Sequence, residues 1–296
     1  SVKKISSSSF SNCESLTKIN IPSSVTQIER AAFYECSALT EVTFEDHSSL
    51  TSIGQQAFYK CSKLLKIKIP STVKEIKDEA FYGCSSLVSA DVPDSVTKIE
   101  SNAFFGCSKL LEINIPSSLE SIDSYLFFEC SSLKQIKIPS SIKKIERNAF
   151  ESCSSLIEIE IPSSVTSINS YAFSGCSSLT KILIYSSLTQ IENNVFQGCS
   201  SLKQISIPSS VIKIGSCAFL GCSSLVKIIV PSSVTSIGSY AFENCKSLEQ
   251  ISIPSSVTSI GEDAFKDCTA LRKITIPSSI DLTNSGIKSN VKVEKI

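Results

Sequence analysis

The segment IPSSVTSINSYAFSGCSSL, residues Ile161–Leu179, decides the fold, because close copies of it run through the whole chain. Further along, Val230–Leu248 reads VPSSVTSIGSYAFENCKSL, with the same order of proline, serine pair, phenylalanine and cysteine. The phenylalanine recurs every 23 residues, with one step of 25, at Phe10, Phe33, Phe58, Phe81, Phe104, Phe127, Phe150, Phe173, Phe196, Phe219, Phe242 and Phe265. A cysteine follows three residues after each of them. A fixed period of this length indicates a repeat architecture.

Each part of the repeating unit L-x-x-I-x-I-P-S-S-V-T-x-I-x-x-x-A-F-x-x-C-S-S predicts a local structure. The alternation in L-x-x-I-x-I is typical of a strand with one buried face, and V-T-x-I predicts a second, shorter strand. The proline between them has no N–H group, so the first strand should end there. The spacing in A-F-x-x-C favours a helical or 3₁₀ turn. The alanine is replaced only at Ser9, Leu126 and Val195, which suggests a tight slot beneath the phenylalanine.

One such coil cannot bury its own apolar side chains. When coils stack, each isoleucine, valine, leucine and phenylalanine lies on its equivalent in the next coil, and a continuous core forms. The expected spacing between coils is the strand-pairing distance of ~4.8 Å. We therefore predict that the phenylalanines form one internal file.

Composition and charge limit the possible functions. The chain has 296 residues, 42% of them hydrophobic, and its 28 basic and 28 acidic residues cancel. A neutral chain offers no electrostatic footprint for nucleic acid or an anionic membrane. Since no stretch approaches the ~18–20 apolar residues of a bilayer span, any membrane attachment is expected through an anchor outside this chain.

The unit resembles the BspA-like (Treponema pallidum-type) class of leucine-rich repeat over essentially residues 1–279. The resemblance implies a right-handed, curved leucine-rich-repeat solenoid, a β-rich α/β fold with a parallel sheet on its concave side and short 3₁₀ or helical turns. It also implies a cell-surface or secreted protein, because members occur on mucosal bacteria and protozoan parasites and are linked to adhesion and to host matrix proteins.

Two regions are expected. Residues 1–279 should hold about twelve 23-residue repeats, with a truncated first unit because Ser1 aligns with Ser24 inside a unit. Residues 280–296 lose the Ala-Phe-Cys signature and predict an atypical C-terminal capping coil, whose charged residues protect the terminal edge. The missing first strand and the absence of methionine suggest a fragment of a longer protein.

The thirteen cysteines allow several interpretations. Twelve share one equivalent position, which favours a ladder of buried free thiols that pack as small hydrophobic groups. Disulfides between neighbouring coils are compatible with the expected backbone distance but not with side chains that all point the same way. A zinc site would need converging ligands, and no C-x-x-C or histidine pair occurs. Cys217 lies outside the column, where other units have tyrosine, and should be the one reachable thiol.

No motif indicates an enzyme. The only histidine, His47, lies in the two-residue insertion and is read as part of an exposed bulge rather than as a metal ligand or acid–base group. The serine pairs have no recurring histidine or lysine to activate them, so their expected role is to satisfy backbone groups at turns. No phosphate loop is present, and we expect no catalytic residue, cofactor or metal.

A binding surface is expected at the variable positions of the repeat. After the core phenylalanine, five successive units carry aromatic residues that could anchor an interface or pack against the next turn: Tyr34, Tyr59, Tyr82, Phe105 and Phe128. A column flanking the first strand contains outward aliphatic residues, namely Leu65, Val88, Leu111, Ile157 and Val226. Leu183 and Ile229 occupy another outward column, while the charged column from Lys18 to Lys273 has mixed signs.

The sequence thus favours a non-enzymatic protein-interaction module, an adhesin-type domain that binds a host protein or matrix ligand. The alternative is a structural scaffold that self-associates through exposed strand edges and has no dedicated ligand.

Overall fold

The computed structural model of the protein describes residues 2–296. They form two compact units, one ending at Ile142 and the other running Lys143–Ile296. Each unit is a β-solenoid in which the paired strands are parallel and come from successive coils. The predicted solenoid and its 23-residue period are therefore confirmed, whereas the handedness and curvature expected from the resemblance stay predictions.

The first unit has two short strands in most of its coils. Its strands are β1 Lys4–Ile5, β2 Lys18–Ile21, β3 Gln27–Ile28, β4 Glu41–Phe44, β5 Ser52–Ile53, β6 Lys66–Lys68, β7 Glu75–Ile76, β8 Ser89–Asp91, β9 Lys98–Ile99, β10 Glu112–Ile113 and β11 Ser121–Ile122. One sheet has the order β1-β3-β5-β7-β9 and the other β2-β4-β6-β8-β10. Equivalent residues pair, as in Ile5 with Ile28 and Ile19 with Val42. Residues 134–138 match the first strand in sequence but form no strand.

The second unit repeats this arrangement. Its strands are β12 Lys144–Ile145, β13 Glu158–Ile161, β14 Ser167–Ile168, β15 Lys181–Ile184, β16 Gln190–Ile191, β17 Gln204–Ser206, β18 Lys213–Ile214, β19 Lys227–Ile229, β20 Ser236–Ile237, β21 Gln250–Ser252, β22 Ser259–Ile260, β23 Lys273–Ile276 and β24 Lys292–Lys295. The pairings are β12-β14, β13-β15, β16-β18-β20-β22, β17-β19 and β21-β23-β24. Among residues 2–296 there is no helix that could cross a membrane.

Proline ends the first strand of a coil, as predicted. Strands β2, β13 and β23 each stop at the residue before a proline, namely Pro22, Pro162 and Pro277. The proline carbonyl then accepts a hydrogen bond from the valine N–H three residues later, as in Val165 to Pro162 at 3.1 Å. The P-S-S-V segment is therefore a β-turn that joins the two strands of a coil.

The predicted helical or 3₁₀ turn at A-F-x-x-C is wrong, because the described residues contain only β-turns there. The N–H groups of Ala32, Tyr34 and Cys36 donate to carbonyls three residues earlier, at 3.1–3.3 Å. The intervening N–H groups point to the next coil instead, so that Phe33 donates to the Ala57 carbonyl at 2.8 Å. A helix would keep all these donors inside its own coil, whereas here alternate donors join neighbouring coils.

Positive φ angles make this alternation possible. Ala31 and Glu35 both have φ of 53°, and they are the third residues of their β-turns, as in type II turns. Equivalent residues in other coils are also left-handed, although most are not glycine. A non-glycine residue in this region costs roughly 1–2 kcal/mol. The hydrogen bonds between coils offset that cost.

Phenylalanine rings form an internal file within each unit, as predicted. Neighbouring ring centroids are 5.2–6.1 Å apart, and the ring planes lie within 19° of parallel. The rings that are at most 1% exposed are Phe33, Phe58, Phe81, Phe104, Phe127, Phe150, Phe173, Phe196, Phe219, Phe242 and Phe265. This file, flanked by buried alanines and cysteines, is the core on which the exposed surfaces are built.

The alanine slot sets the spacing of this file. Where alanine precedes the second phenylalanine of a neighbouring pair, ring centroids are 5.2–5.5 Å apart. The spacing widens to 6.1 Å between Phe104 and Phe127, where Leu126 fills the slot, and to 6.0 Å between Phe173 and Phe196, where Val195 fills it. The spacing is therefore wider in the two pairs whose second ring follows a residue larger than alanine.

The last strand continues the sheet of the second unit. Strand β24 pairs with β23, with Ile274 opposite Val293. Glu294 accepts from Lys273 and Lys292, each at 2.8 Å, and these contacts lower the pKa of Glu294 to about 2. We propose, as the sequence predicts, that residues 280–296 act as a capping coil.

Candidate functional site

The five predicted aromatic residues form one continuous stack in the first unit, which we call the aromatic strip (Tyr34, Tyr59, Tyr82, Phe105 and Phe128). Neighbouring ring centroids are 4.4–4.8 Å apart, and their planes lie within 14° of parallel. Every ring is half-buried. Because the inner rings have both faces covered by neighbours, their exposed parts are their edges.

The backbone beneath the aromatic strip is hydrogen-bonded both within and between coils. The first four strip residues are each followed by a left-handed residue whose N–H donates to the carbonyl of the next strip residue. Glu35 donates to Tyr59 at 2.7 Å, and Gly83 donates to Phe105 at 2.7 Å. Gly83 and its neighbour Gly106 have no side chain on that flank, where the Lys60 side chain lies beside Gly83.

Charged groups border the strip. The Lys60 ammonium lies 3.9 Å from the Glu35 carboxylate and 5.3 Å from the centroid of the Tyr59 ring. The pKa of the Tyr59 hydroxyl is raised by burial and, to a lesser extent, by the carboxylates of Glu79 and Glu35. The site therefore combines ring edges, tyrosine hydroxyls and carboxylates.

The second unit has no such strip within its described residues. The same position holds Glu151, Ser174, Gln197, Leu220, Glu243 and Lys266. Since the surrounding coils keep the same turns, this column is a natural reference for any role of the aromatic rings.

The predicted aliphatic residues lie on the outward side of the first-strand column. Leu65, Val88 and Leu111 follow one another in successive coils, joined by backbone hydrogen bonds of 2.8 and 2.9 Å. Leu65 and Leu111 are about half exposed, and Val88 is half-buried. Ile157 and Val226 are exposed in the second unit.

The remaining outward columns contain charged and isolated apolar side chains. Lys18 and Glu41 form an exposed ion pair at 2.7 Å, which agrees with the predicted mixture of signs. Leu183 is half-buried, whereas Ile229 is 65% exposed. The side chains of Tyr185 and Ile212 are also exposed, and neither was predicted as a site residue. Both depart from the repeat, which has proline at the Tyr185 position and usually threonine at the Ile212 position.

The cysteine column is a ladder of free thiols, as the sequence favours. Ten of the buried thiols donate to the carbonyl of the phenylalanine in the preceding coil, at 2.9–3.3 Å, in pairs such as Cys36–Phe10 and Cys268–Phe242. Burial raises the pKa of these thiols, to about 12 at Cys268 and further at Cys107. Cysteine therefore supplies both apolar volume and a weak donor.

Two thiols differ from this column. Cys217 is half-buried, as predicted, but Cys13 is half-buried too, so Cys217 is not the only reachable thiol. Burial raises the pKa of Cys217, and a hydrogen bond from its neighbour Asn194 opposes the shift. Across residues 2–296, no cluster of three histidine, cysteine or acidic side chains could hold a metal ion.

The serine and threonine hydroxyls join coils through the backbone. Ser233 Oγ donates to the Val211 carbonyl at 2.6 Å, and Thr258 Oγ1 donates to the Thr235 carbonyl at 3.2 Å. These hydroxyls satisfy backbone carbonyls, as expected, although the acceptors lie in the preceding coil. His47 is exposed in a turn with φ of 57°.

Comparison with known proteins agrees with this architecture. The BspA type Leucine rich repeat region, a family defined by six repeat copies, matches residues 1–110, 74–203 and 189–296, which together span the chain. No curated protein matches the sequence.

Three solved structures of leucine-rich repeat proteins are similar over nearly the whole chain. A leucine-rich repeat protein from Bacteroides ovatus is 31% identical with a TM-score of 0.65, covering 100% of this chain and 88% of that one. A leucine rich cell surface protein from Faecalibacterium prausnitzii is 30% identical with a TM-score of 0.59, covering 99% and 83%. A leucine-rich repeat protein from Eubacterium ventriosum is 25% identical with a TM-score of 0.59, covering 91% and 87%. Repeat unit, solenoid and relatives agree, and the chain belongs to the BspA-type leucine-rich repeat family.

Proposed function

We propose that this chain is a non-enzymatic adhesin-type domain, displayed on a cell surface or secreted, that binds a host protein or matrix ligand. The observation that carries the proposal is the aromatic strip, in which five half-buried rings lie on a rigid stack of coils. Aromatic residues are frequent anchors of protein interfaces. The Faecalibacterium relative, described as a cell surface protein, supports the location.

The exposed aliphatic residues Leu65 and Leu111 offer a second contact area in the same coils. Exposed apolar side chains that adjoin one another favour contact with a partner. We infer that the first unit carries more of the binding energy than the second, whose equivalent column holds no aromatic residue.

Binding of the purified chain to immobilised collagen, fibronectin and laminin, and to epithelial cells, tests the proposal. We expect saturable binding to at least one of these surfaces. The double variant Tyr59→Ser/Tyr82→Ser should weaken it by roughly tenfold or more, because interface anchors dominate affinity. Leu220→Ser, in the same column of the second unit, is the matched control and should bind like the parent.

Each contrary result has a clear meaning. No binding to any matrix protein or cell would contradict the proposed function. Unchanged binding by the double variant, together with a lower melting temperature, would leave the aromatic strip with a packing role. In that case Leu65→Ser/Leu111→Ser tests whether the strand face carries the contact instead.

A further inference from the structure

The groups exposed along the aromatic strip restrict what it can bind. The N–H groups of its residues donate within their own coil and their carbonyls accept from the preceding coil, so a ligand strand cannot extend a sheet there. The inner ring faces are covered by neighbouring rings, so a sugar could not stack on them. The available groups are ring edges, the hydroxyls of Tyr59 and Tyr82, and the flanking side chains.

The flanking charges favour a cationic ligand. Glu35, Glu79 and Glu129 lie on the borders of the strip, and the carboxylates of Glu79 and Glu129 act electrostatically on the Tyr82 hydroxyl. Lys60 is the cation beside these rings, and its ammonium is already shared with Glu35. Carboxylates therefore outnumber cations along the rings, and Glu129 is exposed. An arginine or lysine in the ligand would complement this border.

The ring spacing favours a particular backbone conformation. The centroids of Tyr34, Tyr59 and Tyr82 are separated by 4.7 and 4.8 Å. A polyproline II helix has three residues per turn and a rise of ~3.1 Å, so one turn of roughly 9.3 Å spans two ring spacings. An α-helix, with a pitch of ~5.4 Å, loses register with the rings after a few coils.

A polyproline II segment also supplies the matching groups. It has no internal hydrogen bonds, so its carbonyls can accept from the tyrosine hydroxyls. Proline rings can make van der Waals contact with the exposed ring edges, and the segment is ordered before it binds, so little conformational entropy is lost.

We propose that the aromatic strip binds a proline-rich segment in the polyproline II conformation that carries arginine or lysine, lying along the axis of the ring stack. Every third ligand residue then meets every second ring, and the basic side chains reach Glu79 and Glu129. This inference rests on the proposed function and names its ligand class.

Fluorescence anisotropy tests the proposal, with the full chain and labelled peptides that each contain four copies of a tripeptide. We expect saturable binding of the Pro-Pro-Arg repeat, with the Pro-Pro-Glu and Gly-Ser-Arg repeats weaker by roughly tenfold or more. Tyr59→Ser/Tyr82→Ser and Glu79→Gln/Glu129→Gln should each lose most of this affinity, while Leu220→Ser should keep it. Circular dichroism of each variant checks that it is folded.

Failure of Pro-Pro-Arg to bind, or equal binding of the flexible Gly-Ser-Arg peptide, would overturn the inference. Unchanged affinity in the folded Tyr59→Ser/Tyr82→Ser variant would overturn it as well. If the peptide fails while the chain still adheres to matrix proteins or cells, this ligand class is wrong and the proposed function stands. If adhesion fails on every surface while the peptide binds, the proposed adhesin function is wrong and the ligand class stands.

Discussion

The Cys61 thiol donates a hydrogen bond to the Phe33 carbonyl, 3.1 Å away in the preceding coil. The same carbonyl also accepts from the N–H of Cys36, at 3.3 Å. One backbone oxygen therefore closes a β-turn in its own coil and bonds to the next. Repeated along the ladder, this contact gives each cysteine a role that an alanine of similar burial could not fill.

Replacing a ladder cysteine should show the value of this contact. Cys107→Ala removes the sulfur and its bond to Phe81, and we expect it to lower the free energy of unfolding by about 2 kcal/mol. Cys107→Ser should lower the free energy of unfolding by less, because the serine hydroxyl can still donate to the Phe81 carbonyl. Urea unfolding followed by circular dichroism measures both. Cys217→Ala, outside the ladder, should change stability by no more than about 0.5 kcal/mol. A serine variant no better than alanine would contradict the role of the hydrogen bond.

Thiol reactivity should separate the ladder from the two half-buried cysteines. With a chromogenic disulfide reagent at pH 8, we expect Cys13 and Cys217 to react in the native protein and all thirteen thiols to react in guanidinium. Because burial raises the pKa of Cys217, its rate should keep increasing as the pH rises above 8. Rapid reaction of many more thiols in the native state would show that the column is open to solvent.

Stability should fall in alkaline solution. The buried thiols, such as Cys84, Cys107 and Cys199, have pKa values raised by burial, so they stay protonated in the folded state. In the unfolded chain they ionise above about pH 8.5. Their contribution is therefore complete below that pH and is lost as the pH rises, by about 1.4 kcal/mol per pH unit for each buried thiol.

Urea midpoints between pH 8 and 10.5 measure this loss. The triple variant Cys84→Ala/Cys107→Ala/Cys199→Ala should be less stable at pH 8 but should show a shallower slope. A parent protein whose midpoint stays constant up to pH 10.5 would refute the burial of the column.

The alanine position beside the core phenylalanine should tolerate a smaller side chain better than a larger one. Leu126→Ala lets the Phe104–Phe127 spacing contract from 6.1 Å towards that of the alanine coils. We therefore expect it to cost about 1 kcal/mol or less, below the usual 2–5 kcal/mol for a buried leucine. Ala80→Leu overpacks a fully buried slot and should cost about 3 kcal/mol. Chemical unfolding compares the two, and a Leu126→Ala cost within the usual range would show that the coils cannot close.

Much of the fold could be predicted because a side-chain pattern repeated twelve times leaves one packing solution. The strands, their proline ends and the phenylalanine file followed from alternation and period. The helical or 3₁₀ turn predicted for the A-F-x-x-C segment was wrong because a spacing of three to four residues arises from overlapping β-turns as well as from a helix. The left-handed positions that distinguish these turns are often occupied by residues other than glycine, such as Ala31 and Lys60, so the sequence does not reveal them.

The candidate site was only partly readable from the sequence. Its five aromatic residues were visible as a column, but a column does not show whether ring faces or ring edges are exposed. The stacking and the engaged backbone of the strip depend on contacts between coils, as does the thiol bond to phenylalanine. Ile212 and Tyr185 depart from the repeat, but the exposure of their side chains could not be judged without the fold.

A crystal structure that resolves the ring planes is the most direct test of the central claim, which is that each coil completes the interior of the next. We expect the rings of Phe33, Phe58 and Phe81 to stack with centroids 5.2–5.3 Å apart, with the Cys84 thiol bonded to the Phe58 carbonyl. Phenylalanines that point to different cores, or cysteines joined in disulfides, would contradict it.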